Sequence, residues 1–590
     1  MKLFFHLAVV AFFLCVVVAR ANATEDPKIL NQNYYRHLME NLDKGKSPCS
    51  KFYPYVCAKW IESNKENKDT YDSIQQLMNY EANMEIIEYL EKTPVADMPD
   101  HVKIVKDFYE SCTKSKELKL KEFMHHIEKE DNMKWALLTP LENKDVVFDW
   151  PSTMAIFRKY GFNDFLVEQW NGPKSIFKYI KKSNMKHLRK NLRLPEGTMD
   201  FMDLWSLIDD FEDKYNEVEV QKPEERLYKF KDLPYAWFKK YLTTLMEPHH
   251  LDDNMEINIY NIVCLEDLDK LLRDYDAAFL CRYLEVRFLL YLEEVDIPGN
   301  ANECMTQAKM IFTMATDWIY KELHPEVLQE IPRLDQMFEN LIRNVNSTLQ
   351  MAAKPTIVPL EFFEKLETMK LQVGQLPLEN SEEILKSNYE NMKLDLQDYP
   401  GIYLKMLQFY FETQMKVAAT TPSASVEKLY KTPTYSLQSW DFRPTYEAET
   451  NRLILPFAAM RPPFYHVAYD DIFKVSSMGS ILTANIFGPL YYMEGLPNSD
   501  IDILSESMAL YSTYEIYFSS LQPEELSRYE SMFNMTSLQE LKQLFYINAL
   551  HYSCELDDDD EDILNLHVIN MSGFNEAFEC NVNKFLKQLS

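Results

Sequence analysis

Apolar residues recur at spacings of three and four along much of the chain, which is the period of an amphipathic helix. The clearest runs lie at residues 71–90, 268–292 and 305–323. Alternation with a period of two is rare, and residues 452–457 are the best candidate for a strand. Only 11 glycines occur, too few for a fold rich in tight β-turns. The pattern therefore predicts a mainly α-helical protein with a small β element.

The composition predicts a folded protein with more than one domain. The chain has 590 residues, of which 46% are hydrophobic, enough for a large core. Alanine, threonine, serine and proline cluster at residues 417–433, which favours a junction there. We therefore predict a helical region at residues 24–416 and a second region at residues 434–590. No internal repeat is evident.

The first 23 residues have the pattern of a secretory signal peptide. Lys2 precedes an apolar run over residues 3–19, and small residues at 19–23 offer cleavage sites. We predict that residues 1–23 are removed and that the protein is secreted; a type II membrane anchor is the alternative. No later run is long and apolar enough to cross a bilayer, so no membrane span is expected after cleavage.

Cysteine usage favours the same extracellular compartment. Removal of the signal peptide takes away Cys15 and leaves eight cysteines, an even number that suits an oxidising environment. The sequence alone does not fix their pairing. Three sequons fit a secreted glycoprotein, and their asparagines are Asn346, Asn534 and Asn570.

The charge of the chain excludes some classes of partner. The formal net charge is −30, which argues against nucleic acids and anionic membranes. A strongly acidic surface fits an extracellular protein or a binder of basic peptides. The acidic run at residues 557–562 lacks the spaced ligands and the glycine of an EF-hand loop, so we interpret it as a solvated loop.

Several motifs resemble those of one peptidase family. Residues 456–465 read P-x-x-x-x-x-P-P-F-Y, which resembles the segment before the active-site helix of the neprilysin and endothelin-converting-enzyme family. Residues 48–60 are similar to its P-C-x-D-F-Y-x-Y-x-C-G-x-W, with Lys51 for the acid and Ala58 for the glycine. Residues 570–580 are similar to its N-x-x-x-F-x-x-A-F-x-C. The resemblance implies a mainly α, two-lobed neprilysin-like architecture.

The zinc motif of that family is absent. The family has H-E-x-x-H, in which two histidines at i and i+4 bind zinc and the glutamate activates water. The pentapeptide at this place runs from Ala484 through Asn485 to Gly488. Alanine and glycine have no donor atom, and an amide is no general base at neutral pH. Pro489 follows and disfavours continuation of the helix. We therefore predict that zinc is lost and that the chain holds no metal cofactor.

The other functional positions of the family are also substituted. Anchoring its Y-x-x-Y on residues 511–514 places the third zinc ligand and its supporting aspartate on Ser499 and Ile503. The transition-state histidine and the substrate-binding arginine fall on Asp557 and Ile563. The asparagine of the substrate clamp falls on Arg443, a cation able to hold a carboxylate or to form an ordinary salt bridge.

The resemblance also implies a disulfide pattern. It pairs the cysteines as Cys49 with Cys580, Cys57 with Cys554, and Cys112 with Cys304. Cys264 and Cys281 remain, either as a fourth bridge or as buried thiols. In addition, 15 positions separate Ala484 from Ser499, where active relatives have several tens, so a segment of the catalytic region is predicted to be missing.

These features predict a secreted, catalytically inactive neprilysin-like protein. Its expected partner is an extracellular peptide or protein, through which it would modulate peptide signalling or an active relative. An active metalloendopeptidase with displaced ligands is one alternative, and a structural or storage glycoprotein is another. The sequence gives no oligomeric state.

Overall fold

A computed structural model describes most of the chain between residues 26 and 580. The described residues are 26–68, 70–115, 120–143, 145–163, 188, 192, 194–217, 224, 226–247, 251–259, 262–294, 300–352, 360–390, 392, 398–420, 430, 443–448, 450–493, 498–556, 568 and 571–580. The predicted signal peptide and residues 421–429 and 431–433 of the predicted junction lie outside them.

The chain divides into two compact units. The first consists of Met1–Ile86, Asp317–Leu378 and Asp441–Ser590, and the second of Ile87–Thr316 and Glu379–Trp440. Each unit is thus assembled from segments that are distant in sequence. The degenerate pentapeptide and Arg443 belong to the first unit.

Helices form most of the described structure, as predicted. In chain order they are α1 (Pro27–Asn41), α2 (Phe52–Asn64), α3 (Ile74–Lys92), α4 (Asp100–Lys114), α5 (Leu120–Asp131), α6 (Trp150–Lys159), α7 (Phe201–Asn216), α8 (Ala236–Met246), α9 (Ile262–Leu272), α10 (Ala277–Glu294), α11 (Ala301–Ile311), α12 (Thr313–Leu323), α13 (Ile331–Ala352), α14 (Leu360–Thr368), α15 (Ser381–Tyr389), α16 (Tyr399–Thr420), α17 (Asp471–Lys474), α18 (Ser480–Met493), α19 (Asn498–Ser520), α20 (Pro523–Phe533), α21 (Leu538–His551) and α22 (Ser572–Phe578). Short 3-10 turns lie at Lys65–Asn67, Val95–Asp97, Ala136–Leu138, Phe230–Asp232, Pro325–Glu330 and Phe457–Ala459. Among the described helices, none combines the length and apolar character needed to cross a bilayer.

Two of the predicted helices are interrupted. The run at 71–90 is helix α3, but the run at 268–292 is split between α9 and α10. The carboxylate of Asp276 accepts a hydrogen bond from the backbone N–H of Phe279 (2.7 Å) and so starts a new helix. The run at 305–323 breaks at buried Phe312, whose φ of −114° and ψ of 42° are not helical. Apolar periodicity continues through both breaks, so it did not reveal them.

The small β element consists of two sheets. In the second unit, β1 (Arg226–Lys229) and β2 (Glu256–Ile259) form an antiparallel pair. In the first unit, β3 (Lys370–Val373), β4 (Thr445–Glu447) and β5 (Arg452–Leu455) form a sheet with the order β3–β5–β4. The central strand β5 is parallel to β3 and antiparallel to β4. Strand β5 is the strand predicted at 452–457; Pro456, which has no N–H, follows its last residue.

Three disulfides cross-link the described chain. They are Cys49–Cys580 and Cys57–Cys554 in the first unit and Cys112–Cys304 in the second. These are the pairs that the resemblance implied. Cys264 and Cys281 are buried thiols, and no bridge joins them. Burial raises the pKa of Cys281 to about 12, and the neighbouring Glu285 acts in the same direction, so this thiol is a poor nucleophile.

A π-helical turn connects α17 to α18. It spans Val475–Gly479, so one continuous helical segment runs from Asp471 to Met493 with an irregular turn inside it. A π turn lengthens the hydrogen-bond step to i+5 and leaves backbone groups without their usual partners. Side chains from elsewhere in the first unit satisfy them.

Asn548 of helix α21 supplies these hydrogen bonds. Its side chain is 1% exposed, and its Nδ2 donates to the carbonyl of Phe473 (3.1 Å) and to the hydroxyl of Ser476 (2.8 Å). Its Oδ1 accepts from the hydroxyl of Tyr34 in α1 (2.8 Å). One buried amide therefore fixes the turn, α21 and α1 relative to one another.

Replacing Asn548 with alanine tests this role. We expect Asn548→Ala to lower the free energy of unfolding by about 2–3 kcal/mol, because several buried polar groups lose their partner at once. Chemical denaturation with the disulfides intact measures the change. Asn340→Ala, at an exposed position on α13, is the control and should change stability by less than about 0.5 kcal/mol. Equal stability of the two variants would contradict the role assigned to Asn548.

Candidate functional site

Helix α18 carries the degenerate pentapeptide. Ile486 and Phe487 point into the core and are fully buried, whereas Ala484 and Gly488 are half-buried. Residues at i and i+4 share one face of a helix, so Ala484 and Gly488 lie together. Among the described residues, a Cβ atom placed on Gly488 meets no atom within 4 Å beyond the neighbouring helix backbone, so these residues leave space there.

The residues on this face do not fit a zinc ion. Zinc in proteins is bound by thiolate, imidazole or carboxylate groups, and neither a methyl group nor a hydrogen atom can replace them. Between them stands Asn485, whose Nδ2 donates to the carbonyl of Ile481 one turn earlier (2.9 Å). The amide is thus engaged by its own helix, at the position of the family's general base.

Pro489 does not end the helix, contrary to the prediction. Helix α18 continues through Pro489 to Met493. Proline normally excludes the preceding residue from the α region, in part because its Cδ clashes with the preceding Cβ. Gly488 has no Cβ, which removes that part of the clash. Gly488, at the position predicted for the second ligand, therefore lowers the cost of the proline.

The predicted third ligand lies on the neighbouring helix. Ser499 and Ile503 belong to the first turns of α19, which packs against α18. The hydroxyls of Ser480 and Thr513, one on each helix, are 3.0 Å apart in a buried contact. The structure thus brings the helix of Ser499 beside the pentapeptide. Asp557 and Ile563 lie outside the described residues.

Arg443 lies two residues before strand β4. It is exposed, and its Nε donates to the side-chain oxygen of Gln75 (3.2 Å). Helix α18 contacts β4, which is the edge strand of its sheet. Within β4, the hydroxyl of Tyr446 donates to Asn451 Oδ1 (2.9 Å). Arg443 and helix α18 are therefore both close to the same short strand.

A buried ionic cluster next to this helix was missed by the sequence analysis. The ammonium of Lys474, 2% exposed, donates to Glu330 Oε2 (2.9 Å) and to the carbonyl of Val467 (2.8 Å). The hydroxyl of Tyr465 donates to the same carboxylate oxygen (2.5 Å). Burial lowers the pKa of Lys474, and Glu330 opposes the change. The available signal was a lysine inside an otherwise apolar helical run.

A second ionic cluster involves the arginine before the P-P-F-Y motif. Arg461 is buried, and its Nη2 donates to Glu81 (2.8 Å) and lies 3.4 Å from Glu85. Glu85 also contacts His324 Nε2 (2.8 Å). Opposite charges are paired in both clusters, so their positions indicate a structural role.

Metal-binding groups are not clustered in the described part of the chain. Among the residues described, no three or more His, Cys, Asp and Glu side chains are arranged to hold a metal ion. His126 lies beside exposed His125, and its Nε2 is 2.7 Å from Asp398 Oδ2. The other adjacent histidine pair of the chain, His249 and His250, lies outside the described residues.

The protein is similar to metallopeptidases in sequence and in fold. Residues 48–186 match the family model described as peptidase family M13. Neprilysin-2 of Caenorhabditis elegans is 21% identical over 255 residues, which cover 39% of this chain. The match spans 33% of the relative, about a third of its length.

Solved structures cover almost the whole chain. The Haemonchus galactose containing glycoprotein complex aligns with a TM-score of 0.64 and 14% identity over 95% of this chain and 97% of that one. The Mycobacterium tuberculosis zinc metalloprotease Zmp1 aligns with a TM-score of 0.59 and 11% identity over 92% and 96%. At these identities the likeness shows the fold. Together, the sequence match over residues 48–186 and the shared fold support the resemblance of this chain to the neprilysin-like peptidases of family M13.

Proposed function

We propose that this protein is a secreted, catalytically inactive neprilysin-like protein that binds an extracellular peptide or protein. One observation carries the proposal. The helix that bears the family's zinc motif is present and has space beside it, but Ala484 and Gly488 offer no donor atoms. Asn485 cannot serve as the base.

The position of strand β4 supports the second half of the proposal. Edge strands bind extended peptides through backbone hydrogen bonds, and β4 is an edge strand in contact with α18. Among the described residues, the space at Gly488 on helix α18 leaves room for a ligand side chain. Binding without cleavage would let the protein withhold peptides from an active relative, and so modulate peptide signalling.

Secretion is supported by the disulfides, since such bonds persist in oxidising compartments. We further propose that Asn534 carries a glycan. It is exposed and adopts a left-handed conformation (φ 55°) after helix α20, where a glycan extends into solvent. Asn346 is half-buried within α13 and its Oδ1 accepts from Gln350 (2.8 Å), and Asn570 lies outside the described residues.

Peptide capture without cleavage is the expected behaviour. The immobilised protein is incubated with randomised octapeptides, and bound and free peptides are identified by mass spectrometry with and without a chelator. We expect enrichment of a peptide subset with no fragments. Gly488→Trp should reduce capture more than Gly488→Ala, because both variants place a Cβ before Pro489 but only the indole fills the space on this face of α18. Leu538→Trp, at an exposed position on α21, should not reduce capture. Fragments that disappear with chelator would instead indicate an active peptidase, and no enrichment would favour a structural protein.

Restoring the two imidazoles tests the assigned register. We expect Ala484→His/Gly488→His to gain zinc binding, because two histidines at i and i+4 on one helix face reach the same ion. Equilibrium dialysis against zinc measures the gain, and zinc should raise the melting temperature of the variant alone. Ala484→Gln/Gly488→Gln is the matched control, similar in size but without imidazole nitrogens. A folded histidine variant that binds no more zinc than the glutamine control would contradict the register.

A further inference from the structure

We propose that Arg443 binds a carboxylate of the peptide ligand, at the C-terminal side of a segment that pairs antiparallel with strand β4. The inference rests on the proposed function and specifies its ligand. The position predicted for the substrate clamp would thus bind one end of the ligand, which fixes the direction in which the ligand chain runs along β4.

The sheet supplies the pairing edge. Strand β5 occupies one side of β4, with Tyr446 opposite Leu453. Within the described residues, no further strand pairs with the other side of β4. The backbone N–H and C=O groups at such an edge can bind an extended chain. Antiparallel pairs are about two to three times as common as parallel pairs, so we take this orientation.

Strand direction then places the ends of the ligand. In an antiparallel pair, the C-terminal end of the peptide lies beside the N-terminal end of its partner strand. The N-terminal residue of β4 is Thr445, and Arg443 precedes it by two residues. At about 3.3 Å per residue, an extended chain would place Arg443 about 7 Å beyond the strand, and the bend at Arg443 shortens this distance. A carboxylate one or two residues after the last paired ligand residue therefore reaches its guanidinium.

The surrounding charges make this contact selective. Residues 441–590 contain 23 Asp and Glu but only 8 Lys and Arg, so the region as a whole repels an acidic ligand. Burial raises the pKa of Tyr552; Glu506 adds to the increase and Arg443 opposes it. Both charges therefore act near the same hydroxyl. A ligand carboxylate is favoured at Arg443 and disfavoured on the side of Glu506.

Two sources of the carboxylate share this chemistry. A guanidinium forms paired hydrogen bonds with any carboxylate, whether it is the chain terminus or an Asp or Glu side chain. The terminus requires a ligand that ends beside β4, whereas a side chain allows a longer partner to continue past it.

Three pools of randomised octapeptides without internal Asp or Glu test the inference. One pool ends in a free carboxylate, one in an amide, and one in aspartate amide. We expect the native protein to bind a carboxylate pool about fivefold more tightly than the amide pool, the range of a partly exposed ion pair. Preference for the first pool alone identifies the chain terminus, and equal preference for the third identifies a side chain.

The variants assign the preference to Arg443. Arg443→Gln should abolish this preference, so that the carboxylate and amide pools bind equally, whereas Glu506→Gln should increase the preference. Lys370→Gln is the matched control, because it removes an exposed cation from β3 at the opposite edge of the same sheet. Equal binding of all pools, or a preference that survives Arg443→Gln, would overturn the inference and leave peptide binding intact. Failure of every pool to bind would overturn the proposed function and this inference with it.

Discussion

The architecture around the site depends on one buried amide. The side-chain N–H groups of Asn548 donate hydrogen bonds to a carbonyl and a hydroxyl at the π turn before helix α18. Its Oδ1 accepts a hydrogen bond from the hydroxyl of Tyr34. Because a buried polar group without a partner is costly, this arrangement tolerates few alternatives. It sets the register in which α18 presents Ala484 and Gly488. The face of α18 that carries Ala484 and Gly488 is therefore held in a defined position.

The proposed loss of catalysis is compatible with retention of the fold in physical terms. Zinc binding resides in a few donor atoms, whereas the fold depends on burial, disulfides and paired polar groups distributed over the chain. Lys474 with Glu330, and Arg461 with Glu81, place ion pairs beside the helix. Removing one partner of such a pair leaves an uncompensated buried charge, which destabilises the folded protein. These ion pairs therefore favour retention of the fold. Ala484 and Gly488 are half-buried and carry no charge, so a change at either position leaves no buried charge without its partner.

Short-range motifs and helical periodicity predicted much of this structure. The mainly helical class, strand β5 and the three cysteine pairs agree with what the sequence and its resemblance indicated. The breaks between α9 and α10 and at Phe312 were missed because apolar spacing continues through them. Pro489 was misjudged because its effect depends on the absent Cβ of Gly488. The cluster at Lys474 depends on Glu330, 144 positions away, a separation that no local pattern reports.

The zinc content of the purified protein tests the central claim most directly. The protein would be secreted from animal cells and purified without chelator or added metal, and its zinc measured by elemental analysis against protein concentration. The account predicts a content well below one zinc per chain. A content near one zinc per chain, removable by chelator, would contradict it and would require ligands other than those at Ala484, Gly488 and Ser499.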